Sequence, residues 1–133
     1  MRLTIQHVDG LRFLGTADGH TVVIDAAEPD GGGGTALSAP QLFVAAVGAC
    51  ILEFVTNSCR LHSLPVERLS VEVTCQEEIG PRRLGAIEAT LCIEPELPDD
   101  VKRRLIGVAR HATLANTLAR PPEVSVRFAA EPE

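Results

Sequence analysis

The sequence predicts an α+β domain with a mostly antiparallel sheet packed on a long central helix, in the order βββ-α-ββ-α-β. Short runs of alternating apolar and polar residues are separated by turn pairs, which is typical of antiparallel strands. A stretch in the middle of the chain is apolar on every side, which predicts a buried helix. A chain of 133 residues can bury about two thirds of its unfolded surface, so we expect a single domain over residues 1–133.

The first 27 residues predict a three-stranded meander. Asp9-Gly10 and Asp18-Gly19 separate three runs of β-type residues, and Asp-Gly between such runs is the strongest short signal for a hairpin. Four consecutive glycines then occupy positions 31–34. A phosphate-binding loop is one reading of them, but no Lys-Ser/Thr follows and the GxGxxG pattern is missing. A flexible connection into the next element is the favoured reading.

The central helix is predicted over Gln41–Cys59. Positions 42–52 hold no charged residue and no amide, and the length of the run favours a helix over a buried strand. The run is shorter than the roughly 20 residues that span a bilayer. Ser38 offers a hydroxyl cap, and Pro40 fits the first turn. Cys50 lies in the middle of this helix.

The second half of the chain predicts two strands, a helix and a last strand. The strands alternate on either side of Gly80-Pro81, as in a long antiparallel pair. A proline and two carboxylates then begin a helix with one apolar stripe. The predicted elements are strands over 69–75 and 85–93, a helix over 98–112, a short turn over 113–118 and a strand over 123–128.

Charge and composition narrow the classes of partner. The net charge is −6, from 18 acidic and 12 basic residues, and no basic run occurs. This argues against nucleic acid and anionic membranes as partners. The first ten residues lack the apolar core of a signal peptide, so we expect a cytoplasmic protein.

The four cysteines are expected to be reduced thiols, because a cytoplasmic chain of this size rarely forms disulfides. Their spacings of nine, sixteen and seventeen residues match no zinc pattern, so neither a metal site nor a cofactor is predicted. Cys50 and Cys59 cannot bridge within one helix, because nine residues place them on opposite sides. Cys75 and Cys92 are expected to share one face of their strand pair or to act as filler.

Cys50 is the only plausible reactive centre that the residues themselves indicate. A thiol must become a thiolate to attack a substrate, which requires a cation, a helix N-terminus or a base. Cys50 lies about ten residues into its helix, beyond the reach of the helix dipole, and Glu53 follows one turn later. An active Cys50 therefore needs an arginine from elsewhere. The alternative is a small buried hydrophobic residue, which composition alone favours.

Two segments resemble a known family. GGGGTALSAPQLFVAAVGAC at 31–50 and VARHATLANTLARPPEVSV at 108–126 are similar to the OsmC/Ohr family, the osmotically inducible and organic hydroperoxide resistance proteins. The resemblance covers essentially the whole chain and implies an intertwined homodimer. In the peroxidase branch of the family, a cysteine on the central helix attacks an organic hydroperoxide and a second cysteine resolves the sulfenic acid. An arginine and a glutamate hold the thiolate, and lipoylated proteins or other dithiols restore the enzyme.

The resemblance places Cys50 at the position of the attacking cysteine. Ala112 stands where the family has the resolving cysteine, so the resemblance implies a one-cysteine peroxidase that needs an external dithiol. The family's glutamate at the start of the helix falls on Pro40 or Gln41, and neither is an acid. Arg12 is the only interior candidate in the first strands for the arginine that stabilises the thiolate.

Two further residues and an alternative function stay open. Glu53 is interpreted as a partner for a buried arginine across the dimer interface or as a general base. His111 is either a helix-terminal imidazole or a polar wall of the pocket. The alternative function is a non-catalytic dimer that binds a small apolar or acyl ligand in its interface pocket, and a relative without any remaining site is a third possibility. The expected apolar wall of that pocket is Phe43, Val47, Leu52 and Phe54.

Overall fold

The computed structural model describes residues 1–130 and confirms the α+β class with antiparallel sheets. A 3-10 turn over Glu28–Asp30 follows the third strand, and a further helix, α3, forms where a short turn was predicted. The elements are β1 (Thr4–Asp9), β2 (Arg12–Ala17), β3 (His20–Asp25), α1 (Ala39–Leu61), β4 (Arg68–Glu78), β5 (Arg83–Glu94), α2 (Asp99–Arg110) and α3 (Thr113–Ala119).

The strands form two separate antiparallel sheets in the described part of the chain. One is the predicted meander in the order β1-β2-β3, and the other is the pair β4-β5. The register of the pair joins Val73 to Ala89 and Ser70 to Cys92. Cys75 lies on the half-buried face of the pair and Cys92 on the exposed face, so the prediction that they share a face is wrong. The register is the reason, because side chains alternate along each strand.

The prediction of a last strand over residues 123–128 is wrong for the single chain. Residues 121–130 form neither helix nor strand, although Val124, Val126 and Phe128 keep the alternating pattern. Their side chains are 84%, 93% and 99% exposed. A strand needs a neighbour to pair its backbone amides and carbonyls, and none of the five described strands lies beside this segment.

The glycine-rich connection is tightly bonded, which corrects the expectation of a flexible linker. The carboxylate of Asp25, which is 3% exposed, accepts hydrogen bonds from the amide of Gly33 at 3.1 Å and the amide of Thr35 at 3.0 Å. The Thr35 hydroxyl donates a third bond at 2.6 Å. A Cβ on Gly32 would lie 1.9 Å from the carbonyl oxygen of Ala26, so only glycine fits this close approach.

The predicted cap of α1 is confirmed and is reciprocal. The amide of Gln41 donates to Ser38 Oγ at 3.3 Å, and the amide of Ser38 donates to Gln41 Oε1 at 2.9 Å. This is a capping box, which satisfies two backbone amides that the first turn leaves unpaired. Pro40 lies in that first turn, as predicted.

One face of α1 forms the centre of the core, and the other face is exposed. Val47, Ile51, Val55 and Cys59 are buried with Leu97, Leu105 and Ala112 from the C-terminal part of the chain. Phe43 is 46% exposed, so burial on all sides is wrong for the single chain. With 23 residues, α1 is also long and apolar enough to cross a membrane by length and composition alone. Core helices of soluble proteins pass the same test.

A glycine sets the distance between α1 and β4. A Cβ on Gly48 would lie 2.8 Å from Val73 Cγ2 and 3.4 Å from Val71 Cγ1. The helix backbone therefore packs directly on the valine side chains of the strand. This close packing fixes where the next turns of α1, including Cys50, lie relative to the sheet.

Candidate active site

Cys50 lies on α1 at the edge of the core. Its side chain is half-buried and packs against the core cluster. In the described part of the chain, its Sγ makes no hydrogen bond and belongs to no disulfide. The thiol is therefore chemically free and has protein on one side only.

Ala112 occupies the junction between α2 and α3. It is fully buried and belongs to the cluster against which Cys50 packs. The position at which the resemblance implies a resolving cysteine is thus in the same apolar cluster as the Cys50 thiol. Because a methyl group stands there, this position supplies no thiol partner for Cys50.

Arg12 is engaged within the meander. Its guanidinium donates to Asp9 Oδ2 at 2.7 Å, and its backbone is paired with Asp25 in the sheet. No hydrogen bond or ion pair in the described residues joins it to Cys50. The two residues that the resemblance combines are therefore not brought into contact by a single chain.

Glu53 lies on the exposed face of α1. It lines a shallow cleft of about 450 Å³ with Ala49, Asn57 and Arg60, and its carboxylate makes no salt bridge within residues 1–130. It follows Cys50 by three residues along the helix. Every residue that lines this cleft belongs to α1, so Glu53 lies on the side of the helix that no other described element covers.

His111 caps the C-terminus of α2 and lines a groove between α1 and α2. Its amide donates to the carbonyl oxygens of Val108 and Ala109, and its own carbonyl accepts from Asn116 Nδ2 at 3.0 Å. The groove has a volume of about 570 Å³ and includes Phe54, which follows Cys50 by one helical turn. Of the expected pocket wall, only Phe54 lines this groove.

The sequence model of a family described as OsmC-like protein matches residues 31–127. The chain belongs to the OsmC-like family. The matched range runs from the glycine-rich connection through α3 and into the segment after it. It includes the central helix with Cys50 and the position of Ala112.

Solved structures of OsmC-like and hydroperoxide resistance proteins share this fold. A protein from Psychrobacter arcticus, named for a proposed role in osmotic stress and detoxification, superposes with a TM-score of 0.82 at 20% identity, covering 86% of this chain and 85% of that one. An organic hydroperoxide resistance protein OsmC from Legionella pneumophila superposes with a TM-score of 0.70 at 19% identity, covering 88% of this chain and 87% of that one. A Vibrio cholerae protein proposed to confer organic hydroperoxide resistance superposes with a TM-score of 0.68 at 19% identity, covering 89% of this chain and 84% of that one. Its structure holds captopril in one of its active sites. No curated protein matches the sequence.

The other three cysteines of this OsmC-like chain differ in environment. Cys59 is 5% exposed, and burial raises the pKa of its thiol. Cys75 is half-buried against the helix, and Cys92 is exposed on the outer face of β5. Within residues 1–130, no three His, Cys, Asp or Glu side chains cluster so as to hold a metal ion.

Sequence reasoning did not find two features of this OsmC-like structure. The first is Asp25 with its three hydrogen bonds, for which the sequence offers only an aspartate at a strand end before a glycine run. The second is the basic rim of the groove, which includes His62 and Arg104. Arg104 and His111 flank the apolar stripe of α2 at a spacing of seven residues, so the helical period could have revealed that they share a face.

Proposed function

We propose that this protein is a thiol-dependent peroxidase that reduces organic hydroperoxides through Cys50 in a one-cysteine mode. The observation that carries the proposal is a free, half-buried thiol on the central helix of an OsmC-like chain. The presence of hydroperoxide resistance proteins among the structural neighbours supports the reaction class. Ala112 at the expected resolving position supports the one-cysteine mode.

The reaction has two stages. The Cys50 thiolate attacks one peroxide oxygen, the S–O bond forms as the O–O bond breaks, and the leaving alkoxide takes a proton to become an alcohol. Cys50 is then a sulfenic acid. One thiol of an external dithiol attacks the sulfenic sulfur and water leaves; the second thiol breaks the mixed disulfide. Cys50 returns as a thiol, and the dithiol leaves as a disulfide.

The environment of Cys50 favours an apolar substrate. The thiol packs against an aliphatic cluster, and Phe54 follows one turn later. An apolar hydroperoxide gains free energy by covering this surface, at about 25 cal/mol per Å² buried, whereas hydrogen peroxide does not. A dithiol or a lipoylated protein of the cytoplasm is the proposed reductant.

The proposed active form is a homodimer. Residues of the meander, the start of α1 and the last described segment expose large apolar side chains to solvent in the single chain. A second copy would cover them and would supply a cation near Cys50, because no arginine of the same chain bonds to the Cys50 thiol within residues 1–130. The exposed apolar residues are Leu3, Ile5, Val8, Val23, Phe43, Val124, Val126 and Phe128.

The test is stopped-flow oxidation of wild type and Cys50→Ser by cumene hydroperoxide and by hydrogen peroxide, with thiol loss counted by mass spectrometry. Cys92→Ser is the matched control, because it removes an exposed thiol from another element. We expect fast loss that requires Cys50 and is faster with the organic peroxide. Equal, slow loss in all three proteins would refute the peroxidase. Light scattering during size exclusion checks the dimer, with twice the chain mass of 14.2 kDa expected.

A second candidate function is the binding of a small apolar or acyl ligand without catalysis. The open groove between α1 and α2 favours it, because three half-buried apolar side chains of this groove, Phe54, Val101 and Val108, are available to a ligand. The captopril in the Vibrio cholerae structure supports small-molecule binding by this fold. Native mass spectrometry of freshly purified protein, followed by a panel of acyl compounds, tests it. A ligand-free spectrum with no binding from the panel counts against it.

A further inference from the structure

The groove between α1 and α2 has an apolar floor. Phe54 from α1 and the half-buried Val101 and Val108 from α2 line it, and its volume is about 570 Å³. Sites for small organic ligands have volumes of about 300–1,000 Å³ and mostly apolar walls with a few polar groups. The groove therefore has the size and lining of such a site.

The rim of the groove is basic. Arg104, His62 and His111 line it, and none of the described residues that line it is acidic. The groove thus combines an apolar floor with basic polar groups, and this complements an amphiphilic anion.

Arg104 is free to bind such an anion. Within residues 1–130 its guanidinium makes no salt bridge and no hydrogen bond, in contrast to Arg12, Arg82 and Arg83, which pair with carboxylates. A guanidinium presents paired N–H donors that match the two oxygens of a carboxylate. Such a partner would satisfy donors that are otherwise left to solvent.

His62 adds a fixed polar group on the opposite wall. Its Nδ1 lies 2.9 Å from the carbonyl oxygen of Ser58, and a carbonyl only accepts, so Nδ1 carries the proton. The ring is held by this bond directly after the last turn of α1, at the end of the groove away from Cys50. Arg104 on α2 and His62 at the end of α1 thus both line the groove.

We propose that this groove binds a medium-chain aliphatic carboxylic acid, with the carboxylate at Arg104 and the hydrocarbon chain along the half-buried Phe54, Val101 and Val108. The proposal rests on the second candidate function and specifies its site and ligand. It involves no reaction at Cys50. Each methylene that the groove covers is expected to lower the Kd about fourfold.

The experiment is titration calorimetry of the full chain with decanoate, octanoate and the neutral 1-decanol, together with ¹H-¹⁵N correlation spectra. The variants are Arg104→Gln, Arg104→Lys and the matched control Arg103→Gln, which removes an equal charge from the neighbouring exposed position outside the groove. We expect decanoate to bind more tightly than octanoate, with shifts centred on the α1–α2 groove. Arg104→Gln raises the Kd about tenfold, Arg104→Lys restores part of the loss, and Arg103→Gln changes little.

Several outcomes would overturn the proposal. Equal weakening by Arg103→Gln and Arg104→Gln would mean general attraction of anions. If Arg104→Gln binds decanoate as tightly as wild type does, or if the chemical-shift changes are centred elsewhere, the carboxylate does not bind at Arg104. Binding of 1-decanol without decanoate would reject this inference while leaving an apolar-ligand function intact. Cys50→Ser is expected to bind decanoate as wild type does, which separates this result from the peroxidase assay.

Discussion

Asp25 and Thr35 are joined by two hydrogen bonds, one from the Thr35 amide at 3.0 Å and one from its hydroxyl at 2.6 Å. The pair connects the end of β3 to the last residues before α1. Because the Ser38 cap follows only three residues later, these bonds position the start of the helix that carries Cys50. A contact at the end of the meander thus influences the position of the candidate active site.

Thr35→Val is expected to lower the thermal midpoint by several degrees. The substitution keeps the shape of the side chain and the amide bond but removes the hydroxyl bond to a buried carboxylate. Differential scanning calorimetry gives the midpoint. Thr21→Val is the control, because Thr21 is an exposed residue of β3 without a bond to Asp25. An equal change in both variants would mean that the hydroxyl bond contributes nothing.

The stability supplied by Asp25 is expected to disappear in acid. The side-chain bond from Thr35, followed by the amide bonds from Thr35 and Gly33, lowers the pKa of Asp25 below its ordinary value of 3.8. The unfolded carboxyl takes up its proton at higher pH than the folded one. The contribution is therefore complete above about pH 5 and is lost as the pH falls through the folded value. The difference in midpoint between wild type and Asp25→Asn, measured from pH 7 to pH 3, should shrink only at the acid end.

Gly48→Ala is expected to destabilise the protein by up to about 2 kcal/mol. The new methyl group overpacks the contact of α1 with Val73, which costs about 1–3 kcal/mol, and the gain in helix propensity offsets about 1 kcal/mol of this cost. Gly107→Ala in α2 is the control, since a Cβ there meets nothing within 4 Å, and it should stabilise by about 1 kcal/mol. Urea unfolding measures both. Stabilisation by Gly48→Ala would show that the helix can move away from the sheet.

Ala112→Cys is expected to convert the one-cysteine mode into a two-cysteine mode. The introduced thiol joins the buried cluster against which Cys50 packs and comes from the α2–α3 junction, whereas Cys59 of that cluster is held on the same helix as Cys50, on the opposite side. We therefore expect the new thiol to attack the Cys50 sulfenic acid and expel water to form a disulfide. Intact mass after one equivalent of cumene hydroperoxide should fall by two hydrogen atoms. Ala119→Cys, at an exposed position on α3, should leave a sulfenic or further oxidised Cys50. The same product in both variants would contradict the placement.

Native Cys92 is expected to react with iodoacetamide at least about tenfold faster than Cys59. Cys92 is exposed, whereas Cys59 is buried and burial raises the pKa of its thiol, which lowers the thiolate fraction. Peptide mapping after timed labelling gives both rates. In urea the difference should vanish. A persistent difference in the unfolded chain would assign it to neighbouring residues instead of burial.

Local sequence signals predicted most of the secondary structure. The Asp-Gly turns gave the meander, the proline and carboxylates gave the start of α2, and Ser38 gave the cap of α1. Each of these signals acts within a few residues, and each agrees with the tertiary structure of this chain. The strand predicted at 123–128 depended on a distant pairing partner, and alternation alone does not provide one.

The candidate site was harder to predict because its contacts are between distant segments. The sequence identified Cys50 and Ala112, but it did not show that Arg12 is occupied by Asp9, since that pairing depends on the geometry of the β1–β2 turn. The groove also depends on how α1 and α2 cross. Neither helix taken separately indicates that Phe54 faces Arg104.

Each of the two sheets consists only of strands that follow one another in the chain. Their pairing therefore closes short loops at a low entropic cost, and such low contact order is associated with fast folding. The contacts that join the two sheets and the C-terminal helices run through α1, which contacts β3, both strands of the β4–β5 pair, α2 and α3. We therefore expect the docking of this one helix to assemble the domain, so that substitutions on its buried face change the folding rate of the whole domain.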